Sequence, residues 1–500
     1  MSLKRASLNL SIIKGLSILL AFLFHIALAR EFGVSGELDS LFVSLTIFSF
    51  VGIANSFLTS LFVPIFSEVR HEDEADSFIF ADVVIKWSAG LAFMVGLFSW
   101  IYCDLIIKAV ASGFEGERFA LAIDITRLLL IALVFFSISA TTICILNALY
   151  HFSMPAIAGL LHPTFNIAFL YILSPSYGVK AIAMAYVTSN FLQALILILY
   201  LKRNTQWKPT KKLFHERIPS LVRESSKMSI NGIIWSLREL ISRNIASHFP
   251  SGSITLLAYA EKLVTLFVQV AISPLAKVFY SRASAWMAEK RWEDLGKLLE
   301  RIMKVNVTVI FFVSSGAAVF LVPFLNILFL GSRFTPADIQ VLFSLVLIML
   351  LYLIVLSYET HFVQIAYAAR RTDIVGINAI LGVMIFLGTA WLLSRFFGVY
   401  GLAMSISITQ VVVSVLYYWF VARIIPVSSD QLVFDLVRCL AISLFFSISG
   451  LVSRALIEND LIVLILVMPI WSLGFFITIK TFILSDELAF ISFREIYKSG

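Results

Sequence analysis

The sequence is a near-unbroken succession of apolar blocks about 20 residues long, fourteen in all, with short polar turns between them. Crossing a bilayer core about 30 Å thick takes ~20 apolar residues, because a helix rises 1.5 Å per residue and satisfies its own backbone polar groups. The blocks run near 8–28, 40–66, 80–103, 125–149, 155–174, 178–201, 227–249, 254–280, 303–330, 338–367, 374–396, 399–423, 433–455 and 460–484. A 500-residue chain divided in this way leaves no room for a sizeable soluble catalytic domain. The expected fold is therefore an all-α polytopic membrane protein with fourteen transmembrane helices. Composition agrees, with 60% hydrophobic and 14% charged residues, against roughly 45–50% and 25% in soluble domains. The first block lacks a small-x-small cleavage site and runs straight into further membrane sequence, so no cleavable signal peptide is expected. Cys103, Cys144 and Cys439 lie far apart in or beside apolar blocks, which suggests neither a disulfide framework nor a metal site.

The net charge of +7 is distributed by side. If Lys4, Arg5 and Lys14 are cytoplasmic, the same side receives Lys202, Arg203, Lys208, Lys211, Lys212, Arg217, Arg223 and Lys227 after the sixth segment. It also receives Arg282, Lys290, Arg291, Lys297 and Arg301 after the eighth, and Arg370–Arg371 after the tenth. The opposite side holds only the scattered Arg30, Lys108, Arg118, Lys180, Arg333, Arg395 and Arg454. This positive-inside bias places both termini in the cytoplasm. The acidic stretch 68–77 runs against the bias but carries little weight in orientation. Attraction to anionic lipid accounts for the basic stretch 202–227 better than nucleic-acid binding does.

An internal repeat organises the segments. Tyr177-Gly-Val-Lys-Ala-Ile-Ala-Met184 returns as Phe397-Gly-Val-Tyr-Gly-Leu-Ala-Met404, and Leu28-Ala-Arg-Glu-Phe-Gly-Val-Ser-Gly36 is echoed by Ile245-Ala-Ser-His-Phe-Pro-Ser-Gly-Ser253. Both offsets are near 220 residues. Two parallel-repeat six-helix lobes follow, at 1–203 and 227–425, joined by a cytoplasmic basic linker at 204–226. Residues 426–500 form an extra transmembrane pair and a cytoplasmic tail. Parallel repeats related by an axis along the membrane normal are a transporter architecture, with substrate held between the lobes.

Ionisable groups inside a membrane are costly and mark function by default. Segment seven carries Arg238, Glu239 and Arg243, and segment eight carries Glu261 and Lys262. Arg238 and Lys262 suit a phosphate or pyrophosphate, Arg as a bidentate donor and Lys as a point charge. Mutual neutralisation stays open beside that reading: Glu239 and Arg243 are spaced i,i+4, and Glu261 has Arg238 available. Arg127, His25 and His361 read as structural, with His361 bonding a neighbouring carbonyl. In Gly331-Ser-Arg-Phe-Thr-Pro-Ala-Asp338, Thr335 is the expected N-cap, Pro336 the first-turn residue and Asp338 the capping-box partner. Arg370-Arg-Thr-Asp373 reads as a cytoplasmic anchor. The sequon at Asn306 lies in an apolar block and is disregarded.

Several blocks together resemble the MurJ/MviN-type lipid II flippases of the polysaccharide and drug exporter superfamily. They are Ala29-Arg-Glu-Phe-Gly33, Leu38-Asp-Ser-Leu-Phe42, Phe62-Val-Pro64, Leu257-Ala-Tyr-Ala-Glu-Lys-Leu263, Gly331-Ser-Arg-Phe-Thr335 and Ala366-Tyr-Ala-Ala-Arg-Arg-Thr372. The similarity runs in order from about residue 5 to 425. It implies two six-helix lobes plus a helical pair, and an important acidic residue at Asp39. Where the family has an Asp-Arg pair, Glu261-Lys262 stands here. Where the family holds the lipid diphosphate with arginines, this chain has Ile18, Phe24 and Gly52.

The resemblance implies a flippase, not an enzyme, moving a polyprenyl-diphosphate-linked saccharide from the inner to the outer leaflet of the bacterial inner membrane. Arg238, Arg243 and Lys262 would bind the diphosphate, with Asp39, Glu239 and Glu261 as counter-charges or gate latches. Partners are then the lipid-linked substrate and membrane lipids. A cation or the membrane potential is available for coupling. No cofactor is implied, and no phosphate-binding Gly-Lys-Ser/Thr loop is present to support direct ATP use. The alternatives are a Wzx-like flippase for O-antigen or exopolysaccharide units, a cation-coupled drug antiporter, and an integral-membrane glycosyltransferase or polymerase.

Overall fold

The computed structural model describes residues 3–329, 331–369, 371–426, 429–457 and 459–482. The expected tail beyond 482 and Arg370 lie outside the described residues, as do the side chains of Lys4, Arg5 and Lys227. Every described element is helical.

Among the described residues, eleven helices are long and apolar enough to cross a membrane. Three features separate that number from the expected fourteen. Segment seven falls on Ile218–Ser247, which carries Arg238, Glu239 and Arg243. Segment eight is divided between Ser253–Phe267 and Ser273–Ala288, with a π-helical turn at Val268–Ile272 between them. Segments eleven and twelve run on as Thr372–Val421, kinked where Gly398 leaves helical geometry at φ 57°, ψ −132°. Fourteen crossings thus remains an expectation.

The kink bears on the repeat. Gly178, which the repeat pairs with Gly398, has φ 55°, ψ −143°. A residue with a Cβ reaches that region only under strain. The same local backbone therefore recurs at both echoes.

Helix ends follow the local sequence. Ser35 caps Gly36–Gly52 by accepting from the Leu38 amide at 3.4 Å. Asp73 accepts from the Ala75 and Asp76 amides at the start of Glu74–Ile101. The capping box expected at Thr335 and Asp338 is present, with the Asp338 amide donating to Thr335 Oγ1 at 3.2 Å and the Thr335 amide donating back to Asp338 Oδ2 at 2.9 Å. His361 Nδ1 donates to the Ser357 carbonyl at 2.7 Å, as its structural reading requires.

The chain divides into two compact units, Met1–Thr255 and Leu256–Gly500. In the first, Phe62 stacks on Phe66 and Phe80 within a core that includes Leu197, Leu201, Trp207 and Ile218. In the second, Trp471 and Phe475 pack with Val319 and Phe320, and the Trp471 indole donates to the Phe446 carbonyl at 2.7 Å. Gly450 is required there, since a Cβ would lie 2.7 Å from a methyl of Val319.

The first unit also shows which loops share an end. Arg217 grips both oxygens of Glu72 at 2.8 Å, and His215 meets Asp76 at 2.9 Å. The acidic stretch 68–77 and the basic stretch 202–227 therefore lie at one end, as the parity of the segments requires. Two of the acidic residues that opposed the charge bias, Glu72 and Asp76, are partners of the linker. The Glu72 carboxylate holds the Arg217 pKa above its usual value, chiefly through their hydrogen bond. At the other end, Asn244 Nδ2 donates to the Ala109 carbonyl at 2.9 Å, and the Gly113 amide donates to Ser247 Oγ at 2.9 Å. A Cβ on Gly113 would lie 2.5 Å from the Ser247 carbonyl oxygen, so the two turns meet backbone to backbone.

Candidate functional site

Helix Gly36–Gly52 opens the apolar candidate span Gly36–Glu72, yet it carries Asp39, Ser40, Ser44 and Thr46 fully or almost fully buried. Spacing assigns them to two faces. Ser40 and Ser44 are one turn apart and donate to the Arg118 and Ala122 carbonyls at 3.0 and 3.1 Å, joining this helix to Gly116–Ala148. Asp39 and Thr46 are two turns apart and both meet the stretch 239–255.

Asp39 is wholly buried. Its Oδ2 accepts from the Gly252 amide at 2.7 Å, and its Oδ1 accepts from the Thr255 amide at 2.8 Å and the Thr255 hydroxyl at 2.7 Å. Arg118 lies 3.5 Å from Oδ2 and rests on the Phe114 ring, 4.3 Å from its centroid. The carboxylate thus sits at the N-terminus of helix Ser253–Phe267, where free amides and the helix dipole favour negative charge. This arrangement clamps the 250–255 turn to the start of segment two. Packing is tight around it: a Cβ on Gly36 would lie 2.7 Å from Ser251 Oγ.

Two turns deeper, Glu239 Oε1 accepts from Thr46 Oγ1 at 2.9 Å and pairs with Arg243 at 3.3 Å. The Arg243 side chain is 4% exposed and that of Glu239 is 45% exposed, so the arginine is the buried member. The i,i+4 pair open to segment seven therefore exists here, with Thr46 as a third member. Arg238 projects from the same helix, half-buried, its guanidinium 5.5 Å from the centroid of the Trp235 ring. Glu261 and Lys262 are adjacent and half-buried on Ser253–Phe267, in the second unit. The structure thus brings Glu239 and Arg243 together and gives Asp39 a separate network.

Sequence reasoning missed the partners of these groups. Thr46 carries a legible signal, a polar residue seven positions after Asp39 on an apolar helix. Arg118 and Thr255 carry none, since both meet Asp39 through tertiary contact. Glu359, an ionisable residue within segment ten, is buried in the second unit, and its Oε2 accepts from Gln410 and Ser414, two partners that sequence reasoning did not supply. Arg127 pairs with Asp104 at 3.3 Å and lies over Trp100, as a structural role requires. Among the described residues, no group of three or more His, Cys, Asp or Glu side chains is placed to hold a metal ion.

The sequence and the helical fold have counterparts in known proteins. The sequence profile of the family described as Lipid II flippase MurJ matches residues 28–473. The lipid II flippase MurJ of Burkholderia cenocepacia is 27% identical over 303 residues, covering 57% of this chain and 58% of that protein. The matched stretch therefore spans well under two thirds of that relative's length. A solved structure titled lipid II flippase MurJ in an inward closed conformation superposes with a TM-score of 0.82 at 18% identity, covering 96% of this chain and 99% of that one. An inward-facing multidrug resistance MATE family transporter of the MOP superfamily gives 0.71 at 18% identity over 81% of this chain and 94% of that one. At such identities the structural likenesses speak for the fold, and the profile match over most of the chain speaks for the family. The chain belongs to the lipid II flippase MurJ family.

Proposed function

We propose that this protein is a flippase that carries a polyprenyl-diphosphate-linked saccharide of the lipid II type from the inner to the outer leaflet of the bacterial inner membrane, with both its termini in the cytoplasm. The observation that carries this reading is the family match over residues 28–473. The repeat lobes 1–203 and 227–425 are the moving bodies in an alternating-access cycle.

In this reading Asp39 is the latch of the outer gate. It holds the 250–255 turn when closed, and opening exchanges its bonds to Gly252 and Thr255 for water. Glu239 is the counter-charge of Arg243 at rest. Arg238, Arg243 and Lys262 are the diphosphate-binding cations, and Glu261 balances Lys262. Arg243 reaches the substrate only when its pair with Glu239 opens, which links binding to movement of segment seven against Thr46. The membrane potential, worth ~2.3 kcal/mol per unit charge at 100 mV, is available to drive the cycle.

One observation favours a different saccharide. Phe24 is buried at a place where the resemblance puts an arginine, and a Cβ on Gly52 would face Phe136 and Leu133 at 3.5 and 3.7 Å. An apolar residue buried at the first place and apolar neighbours at the second suit a Wzx-like flippase whose substrate is gripped elsewhere. Translocation of fluorescent lipid II in vesicles holding the purified protein tests the assignment. Lys262→Ala should abolish translocation with expression and folding intact. Undiminished translocation in that variant would remove Lys262 from the diphosphate site.

A further inference from the structure

The linker after the sixth segment is fastened at two points and exposed between them. Trp207 is buried in the core of the first unit. His215 is buried too, bonded to Asp76 and packed on Phe80 with ring centroids 5.0 Å apart. Between these anchors, residues 208–214 are held in shape by helix Glu74–Ile101. Asp82 Oδ2 accepts from the Thr210 amide at 3.0 Å and its hydroxyl at 2.8 Å. Lys86 donates to the Thr210 and Lys212 carbonyls, and the Trp87 indole donates to the Leu213 carbonyl at 2.7 Å.

The outward side of this loop combines two chemistries. Lys208, Lys211 and Lys212 are exposed, and Leu213 and Phe214 are 70% and 59% exposed. Two adjacent bare apolar side chains are unfavourable in water. Their position explains them. Trp87 begins an exposed apolar stripe on its helix that continues through Met94, Leu97, Phe98 and Ile101, the stripe a spanning helix turns to lipid. The bond from Trp87 places Leu213 at the end of that stripe, where aromatic residues mark the membrane interface and lysines reach headgroups.

We propose that residues 208–214 form an interfacial anchor: Leu213 and Phe214 enter the leaflet beside Trp87, and Lys208, Lys211 and Lys212 bind anionic phospholipid headgroups. The anchor ties the linker between the repeat lobes to the composition of that leaflet. The wall of Asp82, Lys86 and Trp87 makes it a preformed surface.

The test uses the full chain with a fluorophore on Leu213→Cys, in vesicles carrying nitroxide-labelled phosphatidylcholine or nitroxide-labelled phosphatidylglycerol. Both lipids should quench, with a preference for phosphatidylglycerol that falls by roughly five-fold for each lysine changed to Gln at low salt. Absence of quenching by either lipid, with fluorescence quenched by aqueous iodide, would place the loop in water and overturn the anchor. Equal quenching by both lipids, unchanged in Lys208→Gln, Lys211→Gln and Lys212→Gln, would overturn the anionic-headgroup site.

Discussion

At the scale of single residues, the decisive choice is a carboxylate where an apolar residue would fold more cheaply. Asp39 is buried, and its carboxylate accepts from Gly252 and Thr255 of the 250–255 turn with Arg118 beside it. Asp39→Asn turns one acceptor into a donor facing amides that also donate. The expected cost is about 1–3 kcal/mol, because a buried donor is left without a partner. Thermal unfolding in detergent checks the cost, and faster labelling of Ser251→Cys from the outside would report the loosened turn. Glycine at 398 is a second single-residue requirement. Nothing lies within 4 Å of a Cβ built there, so Gly398→Ala would be strained by its backbone and not by crowding. A loss of about 1–3 kcal/mol is expected. Gly178→Ala, at φ 55° and equally uncrowded, should lose a similar amount in the same melt. Local chemistry made the Thr335–Asp338 cap and the Glu239–Arg243 pair legible in the sequence, because their partners lie three or four positions apart. Arg118 and Thr255 were not legible, lying 79 and 216 residues from Asp39.

At the scale of elements, apolar runs mark the lipid-crossing helices well where charges are few. Charges interrupt the apolar run of segment seven, and the π-helical turn at Val268–Ile272 divides segment eight; both segments bear candidate site charges. On the proposed function, segment seven lines a polar route and gives up part of its apolar surface to do so. The linker teaches a related lesson. Its basic residues are visible in the sequence, but only the fold shows that Arg217 is matched to Glu72 and His215 to Asp76. Reversing one charge in Glu72→Arg should weaken the seating of the linker, and adding Arg217→Glu should restore it. Proteolysis between residues 204 and 217 at low salt reads the effect. The difference should shrink as salt rises, because both side chains are partly exposed and screened.

At the scale of the whole molecule, the all-helical fold class was legible from block length alone, and paired echoes near 220 residues apart suggested a repeat. Gly178 and Gly398 adopt one unusual backbone conformation at the places the repeat pairs. That shared geometry is what a duplicated turn would keep, and it accounts for glycine at both places. The substrate was less legible, since recognition of a headgroup rests on a few side chains and not on the apolar pattern that betrays the fold. The proposed activity is transport of a lipid II-type precursor. Its most direct test is expression of this chain in a bacterium depleted of its own lipid II flippase, scored by survival. The account predicts rescue by the native chain and failure of rescue by Lys262→Ala at equal membrane expression. Failure of the native chain, correctly inserted and abundant, would contradict the account and assign the protein to another lipid-linked saccharide.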